Sequence, residues 1–380
     1  MRLGVIGYGS RIRWMVSQMA EADSDCRLAA VADPDWERIR TGIDEPDRGR
    51  IRFYASADEM LAQEKLDGVA VGTRCSLHTE MALKVMAAGL PLFLEKPIAT
   101  TYEDLDRLRK GKERSASPVV VSFPLRFTPL LRLAKEIVAS GKLGTVEHVQ
   151  AVNNVPYGGV YYHHWYRDER ETGGMFLQKA THDFDYLNEL IGLKPVLVSA
   201  MTSKRVFRGN KPAGLRCAEC EENRTCEEST IRRDIFPDPP PGEFCSFAED
   251  TGNEDSGSAL IRYESGMHAA YSQNFFARRG AAARGARLLG YKGTLEFDWY
   301  KDEIKVFMHH TDRVETYRLG QGKDGHGGGD IALARNFVDL MRGTASSSDS
   351  TLDSGLLSAL MCLKARESAQ SGTFQAIDWL

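Results

Sequence analysis

The sequence lacks the features that mark membrane, secreted and nucleic-acid-binding proteins. None of its windows approaches the roughly 18 consecutive apolar residues of a membrane-spanning helix, and its start carries no signal-peptide pattern. Its 49 basic and 53 acidic residues give a formal charge of −4, which favours neither a nucleic-acid groove nor an anionic membrane surface. It also has no internal repeat. We therefore expect a soluble, cytoplasmic chain without nucleic-acid or membrane partners.

Cysteine is scarce and unevenly placed. Four of the seven cysteines lie in one segment, which we interpret as an insert at about residues 204–255; they are Cys217, Cys220, Cys226 and Cys245. Such a local cluster is not typical of a secreted disulfide framework. Four thiolates with one close Cys-x2-Cys pair suit a tetrahedral structural zinc, which can fold an insert that has no core of its own. Free thiols, disulfides and an iron–sulfur cluster are the alternatives.

A strand, a glycine turn and a helix open the chain. The apolar residues 2–6 run directly into Gly7-Tyr8-Gly9-Ser10-Arg11-Ile12, and a helical pattern follows. In a dinucleotide fold the first glycine permits a tight turn, and the second lets the backbone approach the pyrophosphate at the helix N-terminus. Ile12 stands where the usual fingerprint has its third glycine, so the motif needs support from its context.

An acidic residue provides that support. The second predicted strand ends in Asp33, where a carboxylate can accept hydrogen bonds from the adenosine ribose and would repel a 2′-phosphate. This position favours NAD over NADP. Alternatively, Asp33 caps the next helix ahead of Pro34. The two roles are compatible with each other.

The order of predicted elements changes partway along the chain. Strands and helices alternate up to about residue 122, which predicts a doubly wound parallel sheet, a Rossmann fold, over residues 1–122. After a further helix, runs of strand-like residues follow one another. This second pattern predicts an α+β domain with an open, mostly antiparallel sheet over residues 123–380.

The stretch Glu95-Lys96-Pro97 ends a short apolar strand. Proline removes a backbone donor and disfavours the helical conformation of the residue before it, so the strand must stop here. The charged pair therefore lies at the carboxyl edge of the predicted parallel sheet, which is where ligands bind in open α/β folds. A solvated turn is the plain alternative.

These residues together resemble the Gfo/Idh/MocA oxidoreductases, the relatives of glucose–fructose oxidoreductase and inositol dehydrogenase. The resemblance covers essentially the whole chain and rests on Gly7-Tyr8-Gly9, Asp33, Thr73, Glu95-Lys96-Pro97 and Gly173-Gly174…His182-Asp183-Phe184-Asp185. It implies oxidation or reduction of a sugar or polyol hydroxyl with NAD or NADP. It also implies a homo-oligomer, a dimer or tetramer, that forms through the open sheet of the second domain.

The resemblance assigns the chemistry to Lys96 and His182. Loss of hydride from a carbinol carbon requires removal of the hydroxyl proton, and histidine is the side chain whose ordinary pKa lies nearest neutrality. An ammonium beside the oxygen stabilises the developing alkoxide charge. By the resemblance, Lys96 contacts both the nicotinamide ribose and the substrate, and His182 is the general acid/base. A buried structural histidine is the alternative for His182.

Two sets of residues make up the predicted site. Those expected at the cofactor are Gly7, Tyr8, Gly9, Ser10, Arg11, Ile12, Asp33, Thr73, His78, Glu95 and Lys96. Those expected at the substrate are Trp165, Arg167, Gln178, Lys179, His182 and His326.

Several of the substrate-site residues keep alternative roles. Gln178 stands four residues before His182, where many relatives carry an aspartate, and glutamine cannot take up a proton. Lys179 offers a second cation to a substrate hydroxyl or carboxylate, or it is a structural or solvated lysine. Trp165 can belong to the core, and His326 can belong to a helix cap.

We therefore expect an NAD-dependent oxidoreductase that acts on a secondary hydroxyl of a sugar, a sugar derivative or inositol. Two other functions remain open at this point. One is an NAD-retaining glycosidase or lyase that oxidises its sugar transiently and eliminates a substituent. The other is a sensor that binds the dinucleotide or a metabolite without catalysis.

Overall fold

A computed structural model describes residues 1–232, 242–320 and 325–379. The strands are β1 Arg2–Ile6, β2 Arg27–Ala32, β3 Arg52–Tyr54, β4 Gly68–Val71, β5 Leu92–Leu94, β6 Val119–Val121, β7 Val146–Asn154, β8 Pro195–Ser203, β9 Ser256–Tyr263, β10 His268–Asn274, β11 Ala283–Gly290, β12 Gly293–Asp298, β13 Glu303–Met308, β14 Val314–Arg318 and β15 Gln375–Ala376. The helices are α1 Ser10–Ala22, α2 Trp36–Thr41, α3 Glu45–Arg48, α4 Ala57–Gln63, α5 His78–Ala87, α6 Tyr102–Glu113, α7 Pro129–Ala139, α8 Val160–His163, α9 Glu169–Thr172, α10 Thr181–Ile191, α11 Gly329–Arg342 and α12 Leu352–Ser371.

The chain folds into two compact units. The first contains Met1–Arg132, Phe184–Glu189 and Gln321–Leu360, and the second contains Leu133–Asp183, Leu190–Gly320 and Met361–Leu380. The boundary predicted near residue 122 takes no account of the later segments that join the first unit. No described helix is long and apolar enough to cross a membrane.

The first unit is built on a parallel sheet of six strands in the order β3-β2-β1-β4-β5-β6. Its central strands are buried on both faces, as a parallel sheet covered by helices requires. This confirms the predicted Rossmann fold. The order reverses between β1 and β4, so the carboxyl ends of these strands form the switch point at which such sheets bind ligands.

Helix α11 covers one face of this sheet, although it follows β1 by more than three hundred residues. Its apolar side, which includes Leu333 and Phe337, packs into the same core as Val5, Met15 and Phe93. The rings of Phe93 and Phe337 meet edge to face with centroids 5.6 Å apart. The sequence analysis assigned this helix to the second domain, because a helical pattern does not identify the sheet on which the helix packs.

The second unit contains a mixed sheet of nine strands in the order β14-β13-β12-β11-β7-β10-β9-β8-β15. Every neighbouring pair is antiparallel except β7 and β10. The prediction of a mostly antiparallel α+β domain is thereby confirmed. The sequence pattern missed β8, whose last residues, from Met201 to Ser203, are exposed and break the alternation that marks a strand.

Candidate active site

The glycine turn has the shape that a dinucleotide requires. Gly7 has a φ of 78°, and a Cβ atom at this position would lie 2.7 Å from the Cα atom of Thr73. Only glycine therefore fits between β1 and the loop after β4. By contrast, a Cβ atom on Gly9 would meet no atom within 4 Å. This open space at the start of α1 is where the backbone can approach a pyrophosphate.

Ile12 replaces the third glycine of the fingerprint without loss of close packing. Ile12 is 1% exposed, and a Cβ atom added to Gly72 would lie 2.7 Å from the Cβ atom of Ile12. The third glycine normally lets the first helix lie close to the sheet. In this chain the residue without a side chain is Gly72, at the end of β4. Ile12 on α1 packs into the space beside it.

Asp33 fixes the glycine turn to the end of β2. Its Oδ2 atom accepts a hydrogen bond from the backbone N–H of Tyr8 at 2.9 Å, and its Oδ1 atom accepts one from the N–H of Asp35 at 2.9 Å. The residue that precedes α2 directly is Asp35, so Asp33 is not its N-cap. The carboxylate thus lies beside the turn that is expected to hold the cofactor.

A buried ion network joins the end of β5 to α1 and α11. Arg11 donates to Glu95 Oε1 at 3.2 Å and binds both oxygens of Asp330, at 2.7 and 2.9 Å. Asp330 also accepts a hydrogen bond from the indole of Trp14 at 2.9 Å. His326 Nδ1 lies 3.2 Å from both Asp330 oxygens.

Burial alone would raise the pKa of Asp330, but the hydrogen bonds and charges of Arg11 and His326 hold it well below its ordinary value. Asp330 is therefore ionised and holds the Arg11 guanidinium and the His326 ring. The sequence analysis missed Asp330 as a partner of the glycine turn, because nothing in its local pattern indicates a contact with Arg11. His326, which we expected at the substrate, contacts this carboxylate in the first unit.

Lys96 lies two residues after the end of β5, and its N–H donates to the carboxylate of Glu95 at 3.3 Å. Glu95 is 5% exposed and also accepts a hydrogen bond from the Ser122 hydroxyl at 2.9 Å. The carboxylate is thus a structural anchor, while Lys96, which is only partly buried, stands at the sheet's ligand-binding edge. The Lys96–Pro97 peptide bond is cis.

His78 connects the same edge to the loop after β4. Its ring nitrogens lie 2.7 Å from the carbonyl oxygen of Pro97 and 3.2 Å from that of Thr73. Burial lowers its pKa despite these two contacts. The geometry gives His78 a positioning role for the turn that carries Lys96.

In the second unit, Asp183 anchors the start of α10 to the sheet. Its Oδ1 atom accepts two hydrogen bonds from Arg284, at 2.9 and 2.7 Å, and its Oδ2 atom accepts one from Asn153 at 2.6 Å and one from the Tyr271 hydroxyl at 2.7 Å. The three partner residues lie in the central strands β11, β7 and β10. The residue before Asp183, His182, is 5% exposed.

Gln178 and Lys179 lie in a π-helical turn, Phe176–Ala180, that leads into α10. They are 3% and 4% exposed. Single π-helical turns occur often at functional sites, since the extra residue re-aims side chains. Lys179 donates hydrogen bonds to the hydroxyls of Tyr157 and Tyr161. The sequence analysis did not select Tyr157 as a site residue.

Trp165 and Arg167, which were predicted to contact the substrate, contact other side chains of the protein. The indole of Trp165 stacks on Tyr166 with ring centroids 3.9 Å apart. The guanidinium of Arg167 binds Asp250 and lies 5.0 Å from the centre of the Phe244 ring. Their predicted contacts with a substrate stay predictions, and the contacts of Arg167 fasten it to the cysteine-containing insert.

The cysteines of the insert are free thiols, and so are the other three. Among residues 1–232, 242–320 and 325–379, no group of three or more His, Cys, Asp or Glu side chains could hold a metal ion. The predicted zinc site at Cys217, Cys220, Cys226 and Cys245 is therefore unsupported. Residues 233–241 of the insert lie outside the described residues.

One of these thiols has a histidine partner. Cys217 and His163 act on each other electrostatically, and His163 Nε2 lies 3.8 Å from Glu228 Oε2. Burial alone would lower the pKa of His163, but Cys217, Glu228 and the Phe244 carbonyl raise it to about 9. Burial alone would raise the pKa of Cys217, but His163 and Thr230 lower it. Each group therefore favours the charged form of the other.

Comparison with known proteins agrees with this architecture. Residues 1–123 match the model of the oxidoreductase family with an NAD-binding Rossmann fold, and residues 131–296 match the GFO/IDH/MocA C-terminal domain. The chain is 26% identical over 324 residues to the protein YteT of Bacillus subtilis (strain 168), which is 74% of each chain.

Two further relatives carry more specific names. Inositol 2-dehydrogenase 2 of Saccharopolyspora erythraea is 28% identical over 206 residues, which are 54% of this chain and 58% of that protein. A solved structure of levoglucosan dehydrogenase with NADH and levoglucosan has the same fold, with a TM-score of 0.79 at 17% identity and 99% coverage of both chains. The two family matches together span most of the sequence, so the chain belongs to the GFO/IDH/MocA oxidoreductase family, whose N-terminal domain binds NAD.

Proposed function

We propose that this protein is an NAD-dependent dehydrogenase or reductase that transfers a hydride between nicotinamide and a secondary hydroxyl or ketone of a sugar, a sugar derivative or inositol. Lys96 and His182 form its catalytic pair. Lys96 stabilises the negative charge on the reacting oxygen, and His182 takes up or returns the hydroxyl proton.

The position of Lys96 carries this proposal. The ammonium side chain starts at the carboxyl end of β5, and Glu95 connects this edge to Arg11 in the first turn of α1. A cofactor whose pyrophosphate lies at the start of α1 would extend its nicotinamide along the same edge of the sheet. A cation there is suited to an oxygen that gains charge during hydride transfer.

The cofactor is NAD rather than NADP in this proposal. The Asp33 carboxylate lies beside the Tyr8 N–H, at the carboxyl end of the second strand. There it can accept hydrogen bonds from the 2′- and 3′-hydroxyls of the ribose, while a 2′-phosphate would meet a like charge. The names of the inositol and levoglucosan dehydrogenases support a sugar or polyol as substrate.

The test is NADH formation with a panel of sugars and inositols, followed by absorbance together with product. We expect NADH in proportion to product. Lys96→Met and His182→Asn should bind NAD nearly normally and lose about 10²–10⁴-fold in kcat. Lys84→Met is the control, because Lys84 pairs with Asp58 and Glu80 on the surface of α5 and should leave turnover unchanged.

Three results would contradict the proposal. Product without net NADH indicates elimination through transient oxidation. NAD binding without turnover of any panel member indicates a sensor. Full activity of His182→Asn excludes that histidine as the acid–base group.

We also infer that the protein is a homo-oligomer, a dimer or tetramer, assembled through the open sheet of the second unit. One face of that sheet carries an open cavity with a volume of about 760 Å³. Two apolar side chains that line it, Met201 and Leu260, are 77% and 52% exposed. Large exposed apolar side chains on one sheet face are typical of an interface. Sedimentation of wild type and of Leu260→Glu tests this, and a monomeric wild type would contradict it.

A further inference from the structure

The Lys179 ammonium is buried without a carboxylate partner in the described part of the chain. The residue is 4% exposed. Its Nζ atom donates hydrogen bonds to the hydroxyls of Tyr157 at 2.5 Å and Tyr161 at 3.2 Å, and it lies 4.6 and 5.5 Å from the centres of their rings. Buried charges are usually paired, because removing them from water is costly. A cation held only by phenols can therefore still bind an anion.

The carboxylate one helical turn away does not supply that anion. Asp183 is 0% exposed and already accepts two hydrogen bonds from Arg284, which is itself 5% exposed. The charged groups that act most strongly on the Tyr157 phenol are Lys179, Arg284 and Asp183. Lys179, Arg284 and Asp183, which we call the cluster, together carry an excess of one positive charge, because Asp183 neutralises only one of the two cations.

Tyr157 lies between the Lys179 ammonium and the solvent. It is 48% exposed, whereas Tyr161 is 7% exposed. Lys179 donates to the Tyr157 oxygen, so the phenol's own hydrogen must point elsewhere and can be donated to a ligand. Tyr300, whose pKa is raised by burial and then by Tyr157, is a second phenol near this position and is 45% exposed.

The two phenols on Lys179 differ in character. Burial alone would raise the pKa of Tyr157, but the charges of Lys179 and Arg284 outweigh it, and the pKa is lowered. Burial and the neighbouring Tyr157 raise the pKa of Tyr161 well above its ordinary value. A phenol polarised by an ammonium is the stronger donor, so Tyr157 is the group suited to an incoming anion.

The cluster also lies next to the proposed chemistry. Lys179 precedes His182 by three residues, and Asp183 follows His182 directly, so both ends of the cluster are fixed to the same short segment. Residues three apart on a helix lie on the same face, so Lys179 and His182 are neighbours on this segment. We take the ligand group at Tyr157 to belong to the molecule on which His182 acts.

We propose that the substrate is a sugar acid, and that its carboxylate accepts a hydrogen bond from Tyr157 while the excess positive charge of Lys179 and Arg284 holds it. This rests on the proposed function and specifies its substrate class. A carboxylate carries one negative charge and matches the excess charge of the cluster. A phosphate ester, which carries up to two, would leave the buried site with a net negative charge.

The experiment compares acids with their neutral counterparts. Glucuronate, galacturonate and mannuronate are each paired with the hexose of the same configuration, and a hexose 6-phosphate forms a third arm. We measure binding by calorimetry with NAD present and turnover by NADH absorbance. We expect at least one uronate to exceed its hexose by about tenfold to a hundredfold in affinity and in kcat/KM, as a charge-assisted hydrogen bond provides.

Variants of the cluster test the assignment. Lys179→Met and Tyr157→Phe should lower the preference for the uronate over its hexose by about tenfold or more, while the affinity and kcat/KM for the hexose change little. Lys179→Arg should retain part of the preference. Lys364→Met is the control, because Lys364 is also buried but has a carboxylate partner, Glu367, at 3.2 Å. Urea unfolding of every variant identifies a loss that comes from misfolding.

The outcomes separate this proposal from the proposed function. NADH formation with hexoses equal to that with uronates, unchanged in Lys179→Met, overturns the sugar-acid proposal and leaves the dehydrogenase intact. Uronate binding that Lys179→Met abolishes, without NADH from any substrate, supports the sugar-acid site and contradicts the dehydrogenase. A preference for the phosphate ester over the uronates, or no binding of any uronate, also overturns the sugar-acid proposal.

Discussion

Arg11 and Asp330 are 319 residues apart in the chain and form a two-point ion pair, with N–O distances of 2.7 and 2.9 Å. Asp330 is 1% exposed, and Glu95 lies on the other side of the same guanidinium. The pair therefore holds the first turn of α1, the end of β5 and the start of α11 in one arrangement. The cofactor is expected at this corner of the sheet.

Breaking the pair should destabilise the protein strongly. We expect Arg11→Met to cost about 3–5 kcal/mol in the free energy of unfolding, because it leaves Asp330 buried without its main counter-charge. Urea denaturation measures this cost. Arg38→Met is the control, since Arg38 and Asp35 form an exposed pair with side chains 79% and 66% accessible, and such a pair contributes at most about 1 kcal/mol. Similar costs for the two variants would contradict a structural role for Arg11.

Asp33 should set the choice of cofactor. Replacing it with Asn removes the charge that a 2′-phosphate would meet, so Asp33→Asn should lower the preference for NAD over NADP by about tenfold or more. Dissociation constants of both cofactors for both proteins measure this. If wild type binds NADP as tightly as NAD, the carboxylate acts only by holding Tyr8 and Asp35.

Gly72 and Ile12 should behave as one packing unit. A Cβ atom on Gly72 would lie 2.7 Å from that of Ile12, so Gly72→Ala should cost about 1–3 kcal/mol. In an Ile12→Ala background the same change should cost less, since the space is then free. Unfolding energies of both single variants and the double variant measure the coupling. Gly49→Ala, which would meet no atom within 4 Å, is the control.

The His163–Cys217 pair should make stability depend on pH. The pKa of His163 is raised from 6.5 to about 9 in the folded protein. A raised histidine pKa means that the folded state binds the proton more tightly, so this contribution is complete below about 6.5 and is lost as the pH rises through about 9.

Urea midpoints of wild type and His163→Gln across that interval measure the effect. We expect the wild-type midpoint to fall more steeply towards alkaline pH than that of the variant. Cys220→Ser, which alters a neighbouring thiol outside this pair, should keep the wild-type slope. Parallel curves for wild type and His163→Gln would contradict an imidazolium at position 163.

The sequence by itself determined the elements whose causes are local. The glycine turn after β1, the acid at the end of β2 and the proline after Lys96 each restrict the backbone within a few residues, and the alternation of strands and helices follows from hydrophobic periodicity. These local features were sufficient to predict the Rossmann fold and the mostly antiparallel second sheet, while the family was predicted from the resemblance of the motifs to a known family.

Only the tertiary structure decided which distant side chains meet. Gly72 replaces the expected third glycine, Asp330 binds Arg11, and Tyr157 covers Lys179. The same limit explains the zinc prediction, because cysteine spacing along the chain does not fix whether four thiols converge. Burial, charge balance and close packing are properties of the folded chain, since each depends on neighbours that the local sequence does not contain.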